Sequence, residues 1–292
     1  MALCNLCPRS CNVDRSLKLG FCGVLDKIKI AKADLHYWEE PCISGEKGSG
    51  TIFFSGCSLG CVFCQNNALS HKKFGKEISD QRLYDIFFEL KRKGANNINL
   101  VTADHYIDRI IPIISKAKSD GIAIPFILNT SSYLKSETIE KLKDIIDIYI
   151  ADFKFYSPDI SKKYANAPNY SQIAKKAIET MYNQVGKCVF TDGLLNKGVI
   201  VRLLVLPNNI IDAKLIIKYI LDKYSDNVCF SIMNQFTPIN CSEFAELNCK
   251  LSDREYKSVI DFAYKHNLTN GFIQGYGSAT ENYIPNFDLK GV

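Results

Sequence analysis

The sequence lacks several features that would each place the protein in a particular class. Its 292 residues contain no run of like charge and no low-complexity tract, so a disordered or fibrous chain is excluded. No stretch reaches 18 consecutive apolar residues, and the amino terminus has neither the basic region nor the apolar run of a signal peptide. We therefore expect a soluble protein of the cytoplasm that does not bind membranes.

Nucleic-acid binding is not predicted either. The net charge of +5 comes from lysines spread along the chain, and no segment joins a basic cluster to interleaved aromatic residues. With 47% hydrophobic and 23% charged residues, the chain has the composition of an ordinary globular protein with a buried core. We therefore expect the positively charged side chains to be distributed over the solvated surface.

Short apolar runs alternate with amphipathic helical patterns along the chain. One helix is predicted after Ser79 and another after Ser252, where Glu255 is in capping-box register. Strands that alternate with helices form parallel sheets, so we predict a partial or complete (β/α) barrel of about six parallel units. We expect a small Cys-rich segment at residues 1–48 and the barrel at residues 49–292. The six predicted strands are 51–54, 98–101, 124–128, 147–151, 199–206 and 228–233.

Polar side chains follow the predicted strands, at the edge where a (β/α) barrel carries its chemistry. These residues are Thr102, Asp104, His105, Asn129, Thr130, Ser131, Asp152, Lys154, Arg202, Asn234 and Gln235. Strands end in polar loops in most proteins, so none of these residues indicates a site by itself. Their shared position next to three thiols is what favours a functional site.

The three thiols are Cys57, Cys61 and Cys64, in the stretch "GCSLGCVFCQN" after the first strand. In a reducing compartment, clustered cysteines are metal ligands more often than disulfides. Structural zinc requires four protein ligands, and this loop has three cysteines with no histidine pair nearby. A [4Fe-4S] cluster fits the spacing better, because three thiolates hold three irons and the fourth iron stays open for another ligand.

The stretch "CSLGCVFC" resembles the cluster motif of the radical S-adenosylmethionine (SAM) superfamily, including the aromatic Phe63 before the last cysteine. The stretches "NINLVT" and "VIVRLLVLP" extend the resemblance to proteins related to the pyruvate formate-lyase activating enzyme. The resemblance covers residues 1 to about 240, a boundary uncertain by a few residues.

The resemblance implies that the protein reductively cleaves SAM at the cluster and abstracts hydrogen from a substrate with the 5'-deoxyadenosyl radical. It also implies an electron donor such as a flavodoxin or ferredoxin. Asn129, Thr130, Asp152 and Lys154 would hold the methionine carboxylate, either directly or through a bound monovalent cation. Arg202 would be a partner for that carboxylate or for the ribose.

The chain departs from these relatives at two places. Most of them carry Gly-Gly-Glu after the second strand to hold the methionine amino group, where this chain has "VTADH". Thr102 or Asp104 would have to take that role. The ferredoxin-like insertion that several activating enzymes carry after the cluster loop is absent, since Gln65 leads directly towards the first helix.

Four further cysteines precede the barrel with the spacing C-x2-C-x3-C-x10-C: Cys4, Cys7, Cys11 and Cys22. This spacing suits a closed zinc site about as well as a second [4Fe-4S] cluster, and either would be structural or electron-transferring. The remaining five are scattered and are interpreted as small core residues: Cys42, Cys188, Cys229, Cys241 and Cys249.

Three functions stay open at this point. The protein could activate a glycyl radical enzyme, modify a small molecule or peptide by radical chemistry, or carry electrons without catalysis. The third is disfavoured, because an electron carrier gains from full ligation of its cluster. A large partner protein would favour the first function, and a closed cavity the second.

Overall fold

The computed structural model describes residues 3–239, 241–278 and 285–292. In these residues, all six predicted strands are present. The strands are β1 (Lys29–His36), β2 (Ser49–Phe54), β3 (Lys76–Glu77), β4 (Ile98–Val101), β5 (Phe126–Thr130), β6 (Ile148–Asp152), β7 (Val189–Thr191), β8 (Leu194–Leu204), β9 (Cys229–Met233) and β10 (Gly271–Ile273).

Most of the sheet is parallel. Seven strands run parallel in the spatial order β2, β4, β5, β6, β8, β9, β10. β1 pairs antiparallel with β2, β3 pairs antiparallel with β1, and β7 forms an antiparallel hairpin with β8. Within the described residues β3 and β10 end the sheet, which is therefore open. The predicted α/β fold class is confirmed.

Helices connect the parallel strands and cover the sheet. They are α1 (Pro41–Ser44), α2 (Asn67–Ser70), α3 (Asp80–Arg92), α4 (Ile107–Ser119), α5 (Ser136–Glu140), α6 (Pro158–Ala165), α7 (Tyr170–Val185), α8 (Ile210–Tyr224) and α9 (Asp253–Lys265), with short 3-10 turns at Asp104–Tyr106 and Ala245–Leu247. Among these described helices, none combines the length and apolar character that a membrane span requires.

Both predicted helix starts are confirmed. The Ser79 hydroxyl accepts a hydrogen bond from the backbone N–H of Arg82 at 3.1 Å and begins α3. Ser252 and Glu255 form the reciprocal capping box of α9. A serine that satisfies an otherwise unpaired N–H stabilises its helix by about 1 kcal/mol, so these residues determine where the two helices begin.

The central parallel strands are covered on both faces. All six residues of β2 and all four of β4 are buried. Strands covered on both faces are largely apolar, so most polar groups lie at the ends of these strands and in the loops that follow them. Because β2, β4, β5, β6 and β8 are consecutive neighbours in space, the loops after these strands meet.

Residues 3–28, the described part of the segment before β1, have turns but no helix or strand, and two arginines attach them to the rest of the protein. Arg9 donates to the carbonyl of Leu59 in the cysteine loop at 3.1 Å. Arg15, which is buried, donates to the carbonyl of His105 after β4. Hydrogen bonds from a charged donor are stronger than neutral ones, so this segment is held against the carboxyl edge of the sheet.

Candidate active site

The cysteine loop leaves β2 at the carboxyl edge of the sheet. Gly56 has φ of +93°, and a Cβ atom there would lie 2.9 Å from the carbonyl oxygen of Cys22, so glycine is required. The backbone N–H groups of Leu59 and Gly60 point at the Cys57 sulfur, at 3.4 and 3.5 Å. Such donors stabilise a thiolate, which is the form of cysteine that binds metal.

The three thiols of the loop lie within electrostatic range of one another. Burial raises the pKa of Cys57 to about 11, and Cys64 adds to the rise. Burial also raises the pKa of Cys61; Lys154 opposes this, whereas Cys57 and Cys64 add to it. Cys57 and Cys61 therefore stay protonated at neutral pH until a cation replaces their protons.

Phe63 anchors the cysteine loop to buried aromatic residues. Its ring is 4% exposed and makes edge-on contacts with Phe155, Tyr164 and Phe236, with ring centroids 5.9, 6.2 and 6.0 Å away. Edge-to-face aromatic pairs contribute about 0.5–1.5 kcal/mol each beyond their buried area. The aromatic residue of the motif thus fixes the loop between the second and third thiols.

One cavity at this edge contains the three thiols and most of the predicted cofactor residues. Its walls include Cys57, Cys61, Phe63, Cys64, Thr102, Asn129, Thr130, Asp152, Lys154 and Arg202. Trp38, with 62% of its surface exposed, lines the same cavity, which therefore reaches the protein surface. A concave site with a few convergent polar groups is the usual form of a ligand site.

Asp152 and Lys154 form an ion pair on the cavity wall. The Lys154 Nζ lies 2.7 Å from Asp152 Oδ2, and the two side chains are 22% and 19% exposed. Burial alone would lower the pKa of Lys154, but Asp152 and Cys61 outweigh it and raise that pKa. The Tyr170 hydroxyl donates to the carbonyl of Asp152 at 2.9 Å and accepts from the Lys154 N–H at 3.0 Å. The tyrosine thus fixes the backbone from which both side chains of the ion pair project.

Arg202 is held by two glutamates that the sequence reasoning missed. Its Nε donates to Glu40 at 2.8 Å, and its Nη2 contacts both Glu39 and Glu40. Glu39 also accepts from Asn99 at 2.8 Å and lines the cavity. The pair "EE" before β2 is the only sequence signal for them, and their partner lies more than 160 positions away. Both carboxylates compensate the buried guanidinium.

Thr102 has a strained backbone conformation, and Asp104 has a carboxylate that is unfavourably buried. Thr102 has φ of +61°, a conformation that β-branched residues rarely adopt. Asp104 is 1% exposed and lies outside the cavity walls; among the described residues neither of its oxygens has a hydrogen-bond partner. Thr130 and Ser131 oppose the effect of burial on its pKa. Burial, with a smaller contribution from Asp152, raises the pKa of Asp104 to about 7.

The four amino-terminal cysteines also lie close together. Burial raises the pKa of Cys7 to about 11, and Cys11, Cys4 and Cys22 each add to the rise. Gly20 lies between two of the sulfurs, since a Cβ there would be 3.4 Å from Cys11 Sγ and 3.8 Å from Cys22 Sγ. This group contacts the cysteine loop directly, because the Cys57 N–H donates to the Cys22 carbonyl at 3.3 Å.

Comparison with known proteins gives a family match and several similar structures. A family model described as "Radical SAM superfamily" matches residues 51–197, just over half of the chain. An uncharacterized protein of Methanocaldococcus jannaschii, MJ0674, is 29% identical over 274 residues, which cover 91% of this chain and 75% of that protein.

Two solved structures show similarity in fold. SuiB of Streptococcus suis, bound to its precursor peptide SuiA, has a TM-score of 0.51 at 14% identity, covering 76% of this chain and 47% of SuiB. The methylornithine synthase PylB has a TM-score of 0.52 at 14% identity, covering 74% of this chain and 68% of PylB. This chain thus spans about half the length of SuiB.

Proposed function

The chain belongs to the radical SAM superfamily, and from this premise we propose that it is an enzyme that activates a glycyl radical protein. Membership implies a [4Fe-4S] cluster and SAM as cofactors. A reduced cluster held by Cys57, Cys61 and Cys64 would supply the electron for reductive cleavage of SAM, the chemistry that would lead to hydrogen abstraction from the substrate. The observation that carries the proposal is one cavity that joins three thiols to a charged strand-end pair.

We propose that Cys57, Cys61 and Cys64 hold the cluster. Among the described residues, no three His, Cys, Asp or Glu side chains converge on a single metal ion. A [4Fe-4S] cluster requires a different arrangement, in which each of the three thiolates binds a different iron of the cluster. The N–H groups that point at the Cys57 sulfur support this assignment, because hydrogen bonds to ligand sulfur tune the potential of a cluster.

Asp152 and Lys154 are proposed to bind the amino-acid part of SAM, with Asn129 and Thr130 from the neighbouring strand. A zwitterion needs one partner of each sign, and the pair presents both on the cavity wall. Lys154 also lies within electrostatic range of Cys61, which supports a ligand held beside the cluster loop.

Arg202 is proposed to act through its two glutamates. Its guanidinium already contacts Glu39 and Glu40, so a ligand carboxylate would have to compete with them. Glu39 lines the cavity and is available to a ligand amino or hydroxyl group. We retain Thr102, which lines the cavity, as a proposed contributor on the amino-group side, whereas Asp104 lies outside the cavity walls and is not assigned a contact with the ligand. If a monovalent cation takes part, it is proposed to join the methionine carboxylate to Asn129, Thr130, Asp152 and Lys154 at the strand ends.

The amino-terminal cysteines are proposed to form a second metal site, within a segment that ends near residue 48. A second [4Fe-4S] cluster there could relay electrons from a flavodoxin or ferredoxin, whereas zinc would be structural. The hydrogen bond from Cys57 to Cys22 supports the relay, because it joins the two sulfur groups without an intervening side chain.

A glycyl radical protein is the proposed substrate because the cavity reaches the surface at Trp38, where an extended loop of a partner could enter. The test is to purify the protein anaerobically with its bound partners and to add reductant and SAM. A stable carbon radical on a co-purifying protein, seen by electron paramagnetic resonance, would support the proposal. Consumption of a small molecule or peptide without a partner radical would favour the alternative substrate. A stable cluster with no SAM cleavage would indicate an electron carrier.

A further inference from the structure

Lys73 lies where the two sulfur groups meet. It follows α2 in a left-handed backbone conformation, with φ of +54°. Its side chain runs directly over Gly23: a Cβ there would lie 2.2 Å from Lys73 Cε and 3.2 Å from its Nζ. Gly23 has φ of +75° and follows Cys22, so the glycine permits the ammonium group to reach the amino-terminal sulfur group.

The surroundings of this ammonium contain thiols where a carboxylate would be expected. Its Nζ donates to the carbonyl of Ser70, and in the part of the chain that the structure describes it has no carboxylate at ion-pair distance. Burial lowers the pKa of Lys73, while Cys57, Cys22 and Cys64 oppose that fall. A partly buried cation without an anionic partner is unfavourable. Negative charge on the neighbouring cysteine sulfurs would therefore stabilise this ammonium group.

The thiols that Lys73 faces come from both groups. Cys22 of the amino-terminal group precedes Gly23, over which the lysine side chain runs. Ser70, whose carbonyl accepts from Lys73, lines the same cavity as Cys57 and Cys64 of the cluster loop. The hydrogen bond from the Cys57 N–H to the Cys22 carbonyl holds the two groups together at the same point. A single positive charge at this junction therefore acts on both groups at once.

We propose that Lys73 is a positioning residue that sets the reduction potential of the cluster loop and couples it electrostatically to the amino-terminal thiols. Uptake of an electron adds one negative charge to the loop, and a fixed ammonium nearby makes that uptake more favourable. The proposal rests on the assignment of a [4Fe-4S] cluster to Cys57, Cys61 and Cys64. It adds a residue outside the cysteine motifs to the electron path.

The test is a redox titration of the reconstituted protein without SAM, followed by electron paramagnetic resonance, for the wild type, Lys73→Met, Lys73→Arg and Lys72→Met. Lys72 is the exposed neighbour, and its substitution removes the same charge from the same loop. We expect Lys73→Met to lower the equilibrium constant for reduction at least about tenfold, which is about 59 mV for a one-electron couple. Lys73→Arg should recover most of this loss, and Lys72→Met should stay close to wild type.

Equal potentials for Lys73→Met, Lys72→Met and wild type, at equal iron content, would overturn the inference and leave the proposed function intact. If Lys73→Met does not fold or load iron, Lys73→Gln carries the test, because it keeps a donor for the Ser70 carbonyl without the charge. Failure of the wild type to bind any reducible cluster would instead overturn the cluster assignment. Comparison of the wild type with the lysine variants separates these two failures.

Discussion

Removal of either charge from the Asp152–Lys154 pair should weaken SAM binding while the cluster stays intact. The two side chains are 22% and 19% exposed and their charged atoms lie 2.7 Å apart. A hydrogen bond to a charged group in such a shielded position contributes about 1.5–3 kcal/mol. At about 1.4 kcal/mol per factor of ten, Lys154→Ala and Asp152→Ala should each weaken binding roughly 10- to 150-fold. The loss should appear as a raised dissociation constant.

The assay is equilibrium binding of SAM to reconstituted protein under anaerobic conditions, with cluster absorbance recorded for each variant. Lys163→Ala is a matched control, because Lys163 forms a surface ion pair with Glu246 in which the lysine is 52% exposed. Exposed pairs contribute little, so this control should bind SAM as the wild type does. Unchanged affinity in both Asp152→Ala and Lys154→Ala would refute the reasoning and place the methionine carboxylate elsewhere.

Two further predictions concern the amino-terminal segment and the loop after β4. Replacement of Cys4, Cys7, Cys11 and Cys22 by serine should remove about four irons per chain if they bind a second cluster. Analysis of iron, sulfide and zinc content will test this. Loss of zinc alone would exclude the electron relay, and unchanged metal content would exclude a metal site at these cysteines. Burial, helped by Arg15, lowers the pKa of His105 from its ordinary 6.5 to about 3. Between these values the unfolded chain binds a proton that the folded chain does not, so the apoprotein should lose stability as pH falls from 6.5 towards 3. Thermal unfolding of His105→Gln should show a shallower loss over that range, and an unchanged slope would contradict the assignment.

The local pattern of apolar residues was sufficient to predict most strands of the sheet. The six predicted strands are largely apolar runs in which most residues are buried, and such runs are readable from sequence. β10 was missed because Gly271–Ile273 is only three residues long and begins with glycine. β1 was missed because Lys29–His36 mixes charged and apolar residues at the antiparallel side of the sheet. Its pairing with β2 decides its conformation, and pairing between separate segments is not encoded in local pattern.

The candidate site likewise has a part that could be predicted from local sequence and a part that could not. The spacing of Cys57, Cys61 and Cys64 is local and was readable. The contact of Arg202 with its two glutamates joins residues more than 160 positions apart, so only the fold brings them together.

Three cysteines that were interpreted as scattered core residues provide another example of long-range contact. Cys42 and Cys229 belong to one buried cluster, and Cys188 packs against it. The Cys229 sulfur donates to Asn270 Oδ1 and the Cys188 sulfur to the Val199 carbonyl, each at 3.5 Å. Cys42 lies in α1, Cys188 directly before β7 and Cys229 in β9, so no spacing rule relates them.

The central claim is that Cys57, Cys61 and Cys64 hold the cluster that cleaves SAM. The most direct measurement is the amount of 5'-deoxyadenosine and methionine that anaerobically reconstituted, chemically reduced protein forms from SAM. We expect the wild type and Cys249→Ala, which replaces an exposed cysteine, to form both products in equal amounts. The triple variant Cys57→Ala, Cys61→Ala, Cys64→Ala should form neither; 5'-deoxyadenosine produced by that variant would contradict the account.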